Sequence, residues 1–227
     1  MSTLRAILFD AYGTLLDVHS VAARAEQLFP GQGHALSALW RDRQLQYSWL
    51  RTLSGQYADF WQVTGDGLDY AVARLGLTLT SSDRALLLGE YLRLAAFADA
   101  APMLQAVSEL GIRLAVLSNG APHMLEETFG AAGLRHHFAR LLSVDEARRY
   151  KTAPAAYQLA VDAFGGAPED FVLVSSNGWD VAGGGHFGFR TFWVNRLDAP
   201  VEALGIQPTA IGRSLADLVP WLQAQTP

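Results

Sequence analysis

Residues 4–9 of this chain are apolar apart from Arg5 and run straight into Asp10; the chain then turns at Gly13 and presents a hydroxyl, Thr14, four residues beyond the acid. A short apolar run without alternation describes a strand buried on both faces, as in a parallel sheet. Such a strand cannot stand alone. It needs parallel neighbours, joined to it by crossover helices. In open α/β sheets ligands bind beyond the carboxyl ends of the strands. Asp10 is therefore a candidate nucleophile or metal ligand rather than a surface acid. A magnesium-dependent phosphotransfer site would want a second carboxylate two residues later, and Tyr12 stands there instead.

The rest of the chain fits that frame. Further apolar runs end in polar residues: Leu114–Leu117 before Ser118-Asn119, Phe171–Val174 before Ser175-Ser176-Asn177, and Thr191–Val194 before Asn195, with a shorter run at Leu141–Val144. Between them lie helical stretches at Pro102–Leu110, Pro122–Ala132, Pro154–Phe164 and Trp179–Phe187, several opening with proline in the first turn. The alternation predicts an α/β fold, a doubly wound, mainly parallel, Rossmann-like sheet. Residues 16–98 break the rhythm. They carry helical periodicity at Val21–Phe29, Ala35–Leu53, Leu68–Leu75 and Ser82–Leu94, the last with N-cap candidates in Ser81-Ser82-Asp83. They are expected to form a helical cap inserted after the first strand, over a core made of residues 1–15 and 99–227. Residues 223–227 read as a fraying tail.

Composition narrows the function. At 227 residues the chain can bury roughly 70–75% of its unfolded surface. A net charge of −5 gives no electrostatic reason to expect nucleic acid or an anionic membrane as partner. With no cysteine, disulfides, thiolate metal sites and cysteine nucleophiles are excluded. No stretch approaches the ~18 apolar residues of a membrane span, and the start lacks a secretory-leader pattern, so a soluble, cytoplasmic protein is expected.

The strand ends gather Asp10, Thr14, Ser118, Asn119, Ser175, Ser176, Asn177 and Asp180, with Lys151 from a following loop and Arg41 from the insertion. Singly, each has an ordinary explanation: a turn residue, a helix cap, a solvated basic face, or a core aromatic in the case of Tyr157, Phe60 and Trp179. Their joint occurrence at successive strand ends suits a small anionic substrate attacked by Asp10. Lys151 would favour the ionised carboxylate. Backbone N–H groups after Asp10, with Ser118, could clamp a substrate carboxylate. Arg41 and Asn119 could receive a departing anion, and losing one such donor typically costs about 2.7–4 kcal/mol in the transition state.

These residues also carry a resemblance. Ile7-Leu8-Phe9-Asp10-Ala11-Tyr12-Gly13-Thr14-Leu15-Leu16-Asp17 resembles the first motif of the L-2-haloacid dehalogenases, within the haloacid dehalogenase superfamily. The likeness continues through Leu39-Trp40-Arg41, Tyr57-Ala58-Asp59-Phe60-Trp61, Leu117-Ser118-Asn119-Gly120, Tyr150-Lys151 and Ser175-Ser176-Asn177-Gly178-Trp179-Asp180. It implies hydrolysis of short L-2-haloalkanoic acids to 2-hydroxy acids with inversion, through an ester on Asp10, without metal or other cofactor. Thr14, Lys151, Ser175, Asn177 and Asp180 would position Asp10 and the hydrolytic water. Ser118, with the N–H groups of Ala11 and Tyr12, would hold the substrate carboxylate. Arg41 and Asn119 would take the halide, and Tyr12, Leu45, Phe60 and Trp179 would line the carbon chain. Tyr157 would support Lys151, and a homodimer is implied.

Two departures carry expectations of their own. Asp42 offers a second acid beside Arg41, able either to pair with it and weaken its pull on a halide or to point at Arg43 or solvent. The glycines at 183–185 are expected to loosen the helix after Asp180. Competing chemistries are the same attack on a strained ring such as azetidine-2-carboxylate, a magnesium-dependent phosphatase, and a catalytically silent binding protein.

Overall fold

A computed structural model describes residues 4–225. Six parallel strands form one sheet: β1 (Ala6–Phe9), β2 (Leu114–Ser118), β3 (Arg140–Ser143), β4 (Phe171–Ser175), β5 (Arg190–Val194) and β6 (Ala210–Gly212), in the order β3-β2-β1-β4-β5-β6. Both faces are covered, and side-chain alternation divides the core. Ile7, Phe9, Val116, Val172 and Val174 enter one apolar cluster, while Ala6, Leu8, Ala115, Leu117, Phe171 and Leu173 enter the other. That double burial is why the strands read as unbroken apolar runs. The chain winds outward from β1 to β3 and returns to lay β4 on the opposite flank of β1. Asp10 thus emerges at the topological switch point, where neighbouring connections diverge and leave a crevice.

Five helices lie between β1 and β2, and the first four belong to the insertion: α1 (His19–Leu28), α2 (Gly33–Ser54), α3 (Phe60–Arg74) and α4 (Ser81–Glu90). The chain leaves and returns through paired segments, Asp17 N–H donating to Ala95 O at 2.8 Å and Phe97 N–H to Leu15 O at 2.9 Å. Helix α3 starts eight residues before the Leu68 expected from periodicity, because Asp59 caps it through the N–H of Gln62. Gly67 sits where a Cβ would come within 3.3 Å of Trp40 and Gln44, so α2 and α3 approach closely. Helix α4 is capped by Thr80 rather than by Ser81 to Asp83, and ends at Glu90 rather than Leu94.

The remaining helices are α5 (Ala100–Glu109), α6 (Pro122–Ala131), α7 (Pro154–Phe164), α8 (Gly178–Phe187) and α9 (Leu218–Gln223). Strand β6 and α9 were absent from the sequence-based expectation. The first is three residues long and includes glycine, the second contains Pro220, and neither carries a usable period. Of the tail expected to fray, Gln223 closes α9, and residues 226–227 lie outside the described residues. The glycine-rich stretch does not interrupt α8. A Cβ at Gly183 would lie 2.4 Å from the Tyr157 hydroxyl, and one at Gly184 2.4 Å from Leu173. These glycines permit α8 to sit tightly on α7 and β4.

Candidate active site

Asp10 is 5% exposed, and its carboxylate is gripped unevenly. Oδ2 accepts hydrogen bonds from Thr14 Oγ1 at 3.0 Å and Asn177 Nδ2 at 2.8 Å, with Ser175 Oγ at the 3.5 Å limit. Oδ1 faces Lys151 Nζ at 3.2 Å. Thr14 reaches back because Gly13 adopts φ +87°, a left-handed conformation that glycine takes without strain. Ser175 and Asn177 arrive from the end of β4, directly beside β1.

Lys151 is fully buried and also bonds Asp180 Oδ2 at 2.8 Å; Tyr157 donates its hydroxyl to Asp180 Oδ1 at 2.9 Å. Tyr157 therefore acts on Lys151 through Asp180, not directly. Burial opposes the lysine charge, yet Asp10 and Asp180 outweigh it and hold its pKa above the ordinary lysine value. Burial raises the Asp180 pKa, Lys151 pulls it down and Asp10 pushes it up; the net direction is upward. Burial, then Asp180, drives the Tyr157 phenol far above its usual range. Burial likewise raises Tyr12.

On the other side of Asp10 lies a small hollow lined by Tyr12, Arg41, Leu45, Phe60, Ser118, Asn119, Asn177 and Trp179. Its volume of about 10 Å³ holds roughly one water. Phe60 opens α3 and packs on Tyr12 at 5.8 Å between ring centres, while Trp49 of α2 meets Trp179 edge-on at 5.6 Å. Ser118 and Asn119 end β2, with Asn119 Oδ1 accepting from the Lys151 N–H at 3.0 Å. Its amide nitrogen is left for another acceptor. Ala11 is buried at the tip of β1. Of the residues expected from sequence, Asp10, Tyr12, Arg41, Leu45, Phe60, Ser118, Asn119, Asn177 and Trp179 line the hollow, and Thr14, Ser175 and Lys151 bond Asp10. Asp180 and Tyr157 stand behind Lys151, and Ser176 turns to Gly13 O.

Two residues went unforeseen. Buried Gln44 accepts from Arg41 Nη1 at 2.6 Å and donates to Thr64 Oγ1 at 2.7 Å, aiming the guanidinium. The i, i+3 spacing on one helix was its only sequence signal. Arg196 donates to the carbonyls of Gly13 (3.4 Å) and Thr14 (3.1 Å) and bonds Asp99, bracing the turn after Asp10. Of the two courses open to Asp42, the structure takes the second: Asp42 is exposed, and Arg41 bonds Gln44.

The arrangement suits a carboxylate nucleophile. Oδ2 is held by Thr14 and Asn177, whereas Oδ1 accepts from Lys151, and Asp10 lines a pocket that Arg41 also lines. It does not suit a divalent metal. The two carboxylates, Asp10 and Asp180, both spend an oxygen on the Lys151 ammonium, and Tyr12 occupies the position of a further acid. Among the described residues no group of three or more His, Asp or Glu has metal-binding geometry.

Comparison with known proteins agrees with this geometry. A family model for haloacid dehalogenase-like hydrolases matches residues 4–188. The (S)-2-haloacid dehalogenase of Pseudomonas sp. (strain YL) is 44% identical over 208 residues, covering 92% of this chain and 90% of that protein. A crystal structure of an L-2-haloacid dehalogenase shares 52% identity, covering 97% of this chain and 99% of its own, at a TM-score of 0.95. The Xanthobacter autotrophicus L-2-haloacid dehalogenase with chloropropionic acid covalently bound shares 37% identity, covering 99% and 100%, at a TM-score of 0.93.

Lys151→Met removes the ammonium at little change in volume, leaving Asp10 and Asp180 buried without a counter-ion. The expected cost is about 3–5 kcal/mol of stability near neutral pH. Asp180, already raised, then rises further, so the folded variant binds its proton more tightly than the unfolded chain. Its deficit against the wild type should shrink as pH falls from alkaline toward acid, in urea titrations run as a pH series. A deficit that does not change with pH would contradict this charge assignment.

Proposed function

This chain belongs to the haloacid dehalogenase-like hydrolases, and we propose from that premise that it hydrolyses short L-2-haloalkanoic acids to 2-hydroxy acids with inversion. The observation that carries the reading is the asymmetric hold on Asp10, with Oδ2 fixed by Thr14 and Asn177 and Oδ1 left to Lys151, at a pocket that Arg41 and Asn119 also line. Oδ1 attacks the α-carbon opposite the halogen. Ser118 and the N–H groups of Ala11 and Tyr12 hold the substrate carboxylate, which fixes the approach in line. The halide leaves toward Arg41 and the Asn119 amide. Tyr12, Leu45, Phe60 and Trp179 surround the carbon chain and exclude water during attack. Water then adds to Cγ of the ester, with negative charge developing on Oδ2 against Thr14, Asn177 and Ser175. Lys151, set by Asp180 and Tyr157, balances the carboxylate before and after.

Residues 16–98 act in this reading as a cap. Arg41, Leu45 and Phe60 come from it and complete a pocket too small for a haloacid in this closed form, so admission requires the cap to move. The leaving group is balanced by Arg41 and the substrate charge by backbone donors, with Lys151 spent on the two carboxylates; no metal ion is needed. A cytoplasmic location fits a chain without cysteine and without a helix long and apolar enough to cross a membrane among the described residues.

Halide release from L- and D-2-chloropropionate, each with EDTA present, tests the proposal. L-selective release that survives chelator and is lost in Asp10→Asn is expected. Release that collapses in chelator would favour the phosphatase-type chemistry, and silence from the folded wild type would overturn the assignment. A two-copy assembly belongs to the same proposal, supported by exposed Leu50 and Leu53 on α2 and Leu86 on α4. Light scattering should give twice the 24.6 kDa chain mass; a monomer at micromolar concentration would refute the dimer.

A further inference from the structure

A second cleft, of about 270 Å³, is lined by Gly13 of the turn after Asp10 and shares Asn177 with the substrate pocket. Gly13, Ser176, Asn177 and Arg196 form its inner wall, and Val18 and Ala199 stand among its outer lining. Asn177 is the one residue that lines both hollows among the described residues. The cleft has room for several waters, whereas the substrate pocket has room for about one. Once Asp10 is esterified, the acyl chain fills that pocket, and a water reaching Cγ from the same side would have to pass it.

The wall is built for more than packing. Ser176 Oγ lies 3.1 Å from Thr14 Oγ1, which in turn donates to Asp10 Oδ2 at 3.0 Å. The Ser176 N–H donates to the same Thr14 Oγ1 at 2.9 Å, so the cleft wall and the group that holds Oδ2 form one bonded unit. Ser176 also donates to Gly13 O at 2.6 Å, and Arg196 clamps the same turn, so this wall holds its shape.

We propose that this cleft is the solvent port of the second half-reaction, supplying the hydrolytic water past Asn177 and taking up, in its solvent, the proton that water releases. The inference rests on the aspartyl-ester reading above. Water oxygen bonds to Cγ and the Cγ–Oδ1 bond breaks. Oδ1 leaves as the hydroxyl of the 2-hydroxy acid with one water proton. The other proton passes to the cleft, and Asp10 is restored as a carboxylate carrying the water oxygen.

The absence of cysteine gives a clean test. Ala199→Cys and, from the facing wall, Val18→Cys each supply a unique thiol outside the reacting groups, to be capped with methyl or benzyl methanethiosulfonate. The methyl adduct should behave as the unlabelled variant. The benzyl adduct should keep the rate of the first halide released per site, while steady-state turnover drops about tenfold or more and the Asp10 ester accumulates. Unchanged turnover with both benzyl adducts, or equal slowing of the first halide and of turnover, would overturn the port. A variant that releases no halide before labelling, like a silent wild type, counts against the dehalogenase reading instead.

Discussion

The structure depends on one buried ammonium. Lys151 Nζ stands between Asp10 and Asp180, 3.2 Å from one carboxylate and 2.8 Å from the other, with no solvent exposure. Breaking such an arrangement by removing one member is strongly destabilising, because the survivors keep their charge without water or partner. One ammonium against two carboxylates leaves an excess negative charge. Neutral donors meet it: the Tyr157 hydroxyl on Asp180, and Thr14 and Asn177 on Asp10. The outcome is a carboxylate stripped of its hydration shell yet prevented from rotating. A carboxylate needs both conditions to act as a nucleophile.

The sheet makes that arrangement possible. Strands β1 and β4 are neighbours, so Asp10 and the Ser175–Asn177 turn meet without long loops, and β2 delivers Ser118 and Asn119 to the other flank. Helix α2 contributes the opposing cation, Arg41, held off its neighbours by Gln44. In the proposed reaction, attack and departure would be served by different parts of the molecule, with the sheet beneath Asp10 and the helical insertion behind the leaving group. The turn after Asp10 joins the two, and Arg196 braces it to Asp99 on the segment returning from the helices.

Much of this was legible in the sequence, for a physical reason. Strands covered on both faces must be apolar throughout, so β1, β2, β4 and β5 announced themselves, and the polar residues at their ends marked one edge of the sheet. Helix α3 was partly hidden, because Thr64, Gly65 and Gly67 weaken its helical pattern while Asp59 fixes its start through a cap. The glycines of α8 suggested looseness where the fold uses them for close approach. Gln44 and Arg196 act by orienting other groups across tertiary contacts, and such roles leave almost no local signature. The choice left open for Asp42 is settled by helix geometry: adjacent helical residues lie on different faces, so Asp42 turns to solvent while Arg41 meets Gln44.

Where the oxygen of the product comes from is the most direct measure of whether Asp10 is a nucleophile. With enzyme in excess over L-2-chloropropionate in ¹⁸O-water, the first turnover should give product carrying ordinary oxygen, with the label appearing in the Asp10 carboxylate. Label found in the hydroxyl of the product in that single turnover would mean that water attacks the α-carbon directly, and the ester account would be wrong.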